Sequence, residues 1–149
     1  MIKSSSLDTL IGLTKNNAET ANQRLQGLMR DRQEAELQLA TLKNYRQDYA
    51  VRLQKATETG MSASNYHNFR QFIATLDQAI LQQNNVVVQL EVKLQNGRKH
   101  WYDEKRRLSS YETLLARRTR YESARNNRNE QLASDEFSAN QFYRAGQSH

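Results

Sequence analysis

Seven apolar residues, Ile73, Ile80, Val87, Leu94, Trp101, Leu108 and Leu115, recur at every seventh position without an exception. That period draws one apolar stripe along an α-helix and leaves its other faces polar, which is the pattern of a coiled-coil seam. It does not fit a strand, where the side-chain period is two. The companion positions, Phe69, Leu76, Gln83, Leu90, Gly97, Glu104 and Tyr111, are more mixed.

The first half of the chain keeps the same beat. Alternate steps of four and three from Leu7 give Ile11, Thr14, Ala18, Ala21, Leu25, Leu28, Arg32, Ala35, Leu39, Leu42, Arg46, Tyr49, Leu53 and Ala56, and twelve of these fifteen are apolar or Tyr. Between the two stretches the repeat stops at Thr59-Gly60-Met61-Ser62. A glycine here suits the left-handed position that follows a helix. Ser62 or Ser64 is a candidate N-cap for the second helix, and Ser6 or Asp8 for the first. The chain has no proline, so nothing internal breaks either helix.

The expected fold is therefore all-α: two long helices, about 7–57 and about 65–133, in an antiparallel coiled-coil hairpin turning at 58–64 near Gly60. Pairing positions whose numbers sum to 122 aligns every seam position of both arms. Leu53 then meets Phe69, Leu42 meets Ile80, Ala35 meets Val87 and Leu25 meets Gly97. The one Trp, Trp101, meets the small Ala21, and Leu7 meets Leu115, so both seams end together. Past Leu115 the in-register positions are Arg118, Glu122 and Arg125, which reads as a basic helical overhang to 133. Residues 134–149 read as a disordered tail, and residues 1–133 as a single hairpin domain, monomeric when isolated.

Charge is concentrated in the second arm. The formal net charge is +6, with net +2 over 1–97, +6 over 98–128 and −2 over 129–149. Aromatic residues interleave the basic stretch, which raises nucleic-acid binding as a reading. Trp101 and Tyr111, however, fall on the seam and face the other helix, and the cations spread around the helix. An acidic protein partner fits better than a nucleic acid.

Several functions are disfavoured. There is no cysteine, hence no disulfide and no thiolate metal site. His67, His100 and His149 lie far apart and form no ligand spacing. No glycine-rich phosphate loop is present, and a two-helix fold offers no closed pocket. The expectation is a non-enzymatic chain with no cofactor. No run approaches the roughly 20 apolar residues that span a bilayer. Met1–Asp8 contains no apolar core of a signal peptide. A soluble, cytoplasmic chain with no direct membrane insertion is expected.

The sharpest candidate surface lies near the turn. Gln38, Leu42, Tyr45 and Tyr49 are spaced four, three, four on the first arm, and Phe72, Leu76, Ala79 and Gln83 repeat that spacing on the second. Equal spacing puts each set on one helix face, and the register lays the two sets side by side. Tyr45, Phe72 and Ala79 fall off the seam and are expected to be partly exposed, as a protein-binding surface requires.

The run Leu42-x-x-Tyr45-Arg46-x-x-Tyr49, then Gly60, then Asn65-Tyr66-x-x-Phe69-x-x-Phe72-Ile73-x-x-Leu76-Asp77-x-x-Ile80-x-x-Gln83 resembles the flagellar FliJ proteins. The resemblance covers essentially the full length and is most specific between Leu42 and Gln83. It implies a small component of the flagellar type III export apparatus, cytoplasmic and peripherally associated with that apparatus at the inner membrane. Such proteins are two-helix coiled coils similar to the central stalk of rotary ATPases. They insert into the hexameric ring of the export ATPase, promote its assembly and activity, and bind export chaperones. A patch on the coiled coil contacts the cytoplasmic domain of the export-gate membrane protein. The eight residues Gln38, Leu42, Tyr45, Tyr49, Phe72, Leu76, Ala79 and Gln83 resemble that patch. Arg117, Arg118, Arg120, Arg125 and Arg128 of the overhang are the candidate contacts to the ring. Two alternatives stay open at this point: the stalk protein of a virulence-type secretion system, and an unrelated basic coiled coil that binds nucleic acid.

Overall fold

A computed structural model describes residues 4–147; residues 1–3 and His149, with its neighbour 148, lie outside the described residues. Two helices account for the fold, α1 (Ser4–Thr59) and α2 (Ala63–Gln147), paired as an antiparallel hairpin. Ser6 and Asp8 lie inside α1, which is already helical at Ser4, so neither is its cap.

The turn is short and locally determined. Gly60 has φ 91°, a left-handed conformation that L side chains rarely adopt. Ser62 is the N-cap of α2: its Oγ accepts from the Asn65 amide at 3.2 Å, and its carbonyl accepts from the Tyr66 amide at 3.0 Å. Before the turn, the Thr57 hydroxyl donates to the Gln54 carbonyl and the Thr59 hydroxyl to those of Lys55 and Ala56. Carbonyls of the last turn of α1 thus gain side-chain partners.

The chain forms two compact units. Unit 2 spans Asn17–Glu104 and contains the turn. Every seam position expected in it is buried or half-buried, from Ala18 to Ala56 on α1 and from Phe69 to Glu104 on α2. The register stands within one residue of the expected one. Gly97 faces Leu25 and Leu28, whose Cδ1 atoms lie 3.7 and 3.3 Å from where a Cβ would be. Arg32 pairs with Glu91 and Arg46 with Asp77, each at 2.7 Å. These charged seam positions specify alignment where the apolar stripe alone would not. Leu94, 1% exposed, is the most buried side chain of this unit.

Unit 1 comprises, among the described residues, 4–16 and 105–147. Leu7, Ile11 and Thr14 are buried, and Leu108, Tyr111, Leu115 and Arg118 are half-buried. The Thr14 hydroxyl satisfies itself within α1, donating to the Leu10 carbonyl at 2.8 Å. From residue 119 to 147 every side chain is exposed. The sequence reading places a disordered tail from residue 134, but α2 continues to Gln147. No proline interrupts this segment and its only glycine is Gly146, so the i to i−4 hydrogen bonds propagate without help from packing.

Candidate functional site

The eight-residue strip near the turn lies within unit 2, and the seam shapes it from below. Leu76 is buried at 8% exposure and anchors the strip to the core. Leu42, Tyr49, Ala79 and Gln83 are half-buried. Tyr45 and Phe72 are 54% and 43% exposed, as their off-seam positions require. The structure brings members of the two arms into direct contact. The Tyr49 and Phe72 rings are 4.5 Å apart between centroids and tilted by 49°, within the favoured range for aromatic pairs. Tyr49 also faces Phe69 at 6.2 Å, and the Arg52 guanidinium lies 5.4 Å from the Tyr49 ring centre.

The far end of the strip is held by polar contacts. Gln83 occupies a seam position, where an unpaired carboxamide would be costly. Its Nε2 donates to the Ala35 carbonyl at 3.0 Å and to Gln38 Oε1 at 3.2 Å. One glutamine therefore satisfies itself and fixes the other glutamine of the strip. Beside these residues, Arg46 Nε donates to Asp77 Oδ1 at 2.7 Å. That hydrogen bond, and then the Asp77 charge, hold the Arg46 guanidinium above its ordinary value.

Leu37 escaped the sequence reading. It is 64% exposed and, with Glu34 and Thr41, lines a concavity of about 470 Å³ that also touches Gln38, Leu42 and Gln83. Its signal was present: a leucine off the seam, four residues before Thr41 on the same helix face.

The five arginines proposed for the ring lie in unit 1 on α2. Arg117, Arg120, Arg125 and Arg128 are exposed, whereas Arg118 is half-buried at an in-register position. Arg118 Nε lies 3.4 Å from Glu122 Oε1, four residues on. Tyr121 among them is 69% exposed. In unit 2, Trp101 is half-buried as its seam position requires, and stacks 5.1 Å from the exposed Tyr102. Among the described residues no group of three His, Cys, Asp or Glu side chains is placed to hold a metal ion.

Comparison with known proteins decides between the readings left open. The profile of the family "Flagellar FliJ protein" matches residues 3–147. The chain belongs to the flagellar FliJ family. It is similar to the "Flagellar FliJ protein" of Salmonella typhi, 32% identical over 137 residues that cover 92% of this chain and 93% of that protein. It is also similar to the "Flagellar FliJ protein" of Escherichia coli (strain K12), 31% identical over 137 residues with the same coverage. Family membership agrees with the helical hairpin, and among the described residues no helix is long and apolar enough to cross a membrane.

Proposed function

We propose that this chain serves flagellar protein export as a binding protein in the cytoplasm, without chemistry of its own. In this reading the strip of Gln38, Leu42, Tyr45, Tyr49, Phe72, Leu76, Ala79 and Gln83 docks on the cytoplasmic domain of the export-gate membrane protein. The arginines at 117, 118, 120, 125 and 128 face the ring of the export ATPase, and export chaperones are further partners. The observation that carries the reading is the split within the strip. Tyr45 and Phe72 offer aromatic surface to solvent, while Tyr49 backs Phe72 from the seam at 4.5 Å. Part-exposed aromatic side chains are the type that dominates protein interfaces.

The ATPase role has a mechanical basis. A helix pair is asymmetric, so each subunit of a surrounding ring would meet a different surface. Contacts that differ between subunits bias their conformational equilibria. The exposed segment 119–147 supplies side chains with no intramolecular packing to give up on binding.

The test is ATP hydrolysis by the flagellar export ATPase of the same organism, titrated with the full chain and with a chain ending at Arg118. Saturable stimulation by the full chain and none by the shortened one supports the reading. Equal stimulation by both moves the ring contact away from the arginine segment beyond Arg118, and no stimulation by either removes the ATPase role.

A further inference from the structure

Unit 2 carries a second surface feature, remote in sequence from the strip. Ala21 and Gly97 are both small and both lie on the seam, Gly97 without a side chain. A concavity of about 260 Å³ results, floored by Ala21 and Gly97 and walled by Arg24, Lys93, Asn96 and His100. A neighbouring concavity of about 340 Å³ shares Ala21, Arg24 and His100 and is extended by Asn17, Thr20 and Glu104.

The charge around this cleft is unlike that elsewhere in the unit. Arg32 and Arg46 each meet a carboxylate of the other helix, Glu91 and Asp77. Arg24, Lys93 and His100 line one concavity instead, and among the described residues none of the three takes part in an ion pair or hydrogen bond. Glu104, the carboxylate that lines the second concavity, is 6% exposed. Two like charges thus line one groove, whereas Arg32 and Arg46 are each matched by a carboxylate of the other helix.

We infer that this cleft docks an acidic side chain of a protein partner. A carboxylate fits its chemistry: Arg24 offers paired N–H donors for both oxygens, Lys93 a point charge, and Asn96 an amide donor. A nucleic acid fits less well. No Phe, Tyr or Trp lines either concavity, so a run of bases would find only the His100 imidazole to stack on. The inference is independent of the roles proposed for the strip and for the arginine segment.

The full chain should be titrated into a labelled, capped peptide of alternating Glu and Ala, followed by fluorescence anisotropy at low salt. Arg24→Gln with Lys93→Gln should weaken binding about fivefold or more, from the loss of two charge contacts. The charge-matched control, Lys55→Gln with Arg70→Gln, removes the same net charge and should change binding by less than about twofold. All four side chains are exposed, so circular dichroism should show both variants folded. In amide NMR spectra of the full chain, the peptide should shift Asn96 and Gly97. Equal weakening in both variants, or shifts confined to residues 117–128, would reduce the effect to overall charge and overturn the inference. A single-stranded oligonucleotide that binds more tightly than the peptide, through Arg24 and Lys93, would overturn it too.

Discussion

Replacing both Tyr45 and Phe72 by Ala separates binding from folding. With aromatic side chains presenting roughly 200 Å² each, exposures of 54% and 43% leave about 195 Å² of their surface available to a partner. At about 25 cal/mol per Å² this is worth at most about 5 kcal/mol, part of which is lost to ordering and imperfect desolvation. An expected loss of about 3 kcal/mol corresponds to about 150-fold in Kd. The cost to folding should be smaller. Tyr45 makes no ring contact, whereas Phe72 stacks on Tyr49 at 4.5 Å; losing that pair costs about 1 kcal/mol, a fall in melting temperature of about 2–4 °C for a chain of this size. Isothermal titration against the cytoplasmic domain of the export-gate protein measures the first quantity and thermal unfolding the second. A neighbour calibrates the split: Leu76→Ala, at a site 8% exposed, should cost about 2–5 kcal/mol of stability. Unchanged gate affinity in the folded Tyr45/Phe72 variant would refute the docking surface. A loss of stability as large as that of Leu76→Ala would make the two aromatics core residues.

Other perturbations test the fold. Leu94→Ala, at 1% exposure, should lower the unfolding free energy by about 2–5 kcal/mol. In the same denaturant titration Val88→Ala, at 62% exposure, should stay within about 0.5 kcal/mol of the parent. Gly60→Ala forces a side chain into φ 91° and should cost about 1–2 kcal/mol, read as a lower denaturation midpoint. Arg46 is raised above its ordinary value by Asp77. Its contribution is therefore fully present below the ordinary arginine range and is lost only as pH rises through the still higher folded value. Arg46→Gln should accordingly lower the melting temperature by the same small amount at pH 6 and pH 9; a difference that grows between them would locate the effect in another group.

The fold was legible because seam periodicity is redundant. Each of the fifteen α1 seam positions from Leu7 to Ala56 is at least half-buried, so an error at Thr14, Arg32 or Arg46 could not have moved the stripe. The register was legible from few positions, mainly the small Ala21 and Gly97 placed where Trp101 and Leu25 need room. The helix end near 133 was misplaced because a seam reports packing, and α2 continues to Gln147 without any. Exposure of Tyr45 and Phe72 followed from their offset to the seam. The Gln83 bond to Ala35 and Gln38 did not, since a glutamine at a seam position looks like a weak heptad until its partners are in view. Leu37 was missed because a lone leucine repeats with nothing; only its offset from the seam, one turn before Thr41, marked it.

The polar seam positions explain why a surface strip can be precise on so thin a fold. A two-helix pair has no third layer to brace its outer side chains, so only residues tied to the seam can hold a fixed geometry. In unit 2 the apolar stripe is interrupted at Arg32, Arg46, Gln83 and Glu104, and the first three are bonded across to the other helix. Two of the three, Arg46 and Gln83, border or belong to the strip. They give up apolar burial at those positions, yet they fix how far one arm can slide against the other. A slip of even one heptad would move Phe72 off Tyr49 and take Gln83 away from Gln38, dissolving the strip while preserving an apolar seam. Alignment of the strip thus rests on the least hydrophobic positions of the repeat.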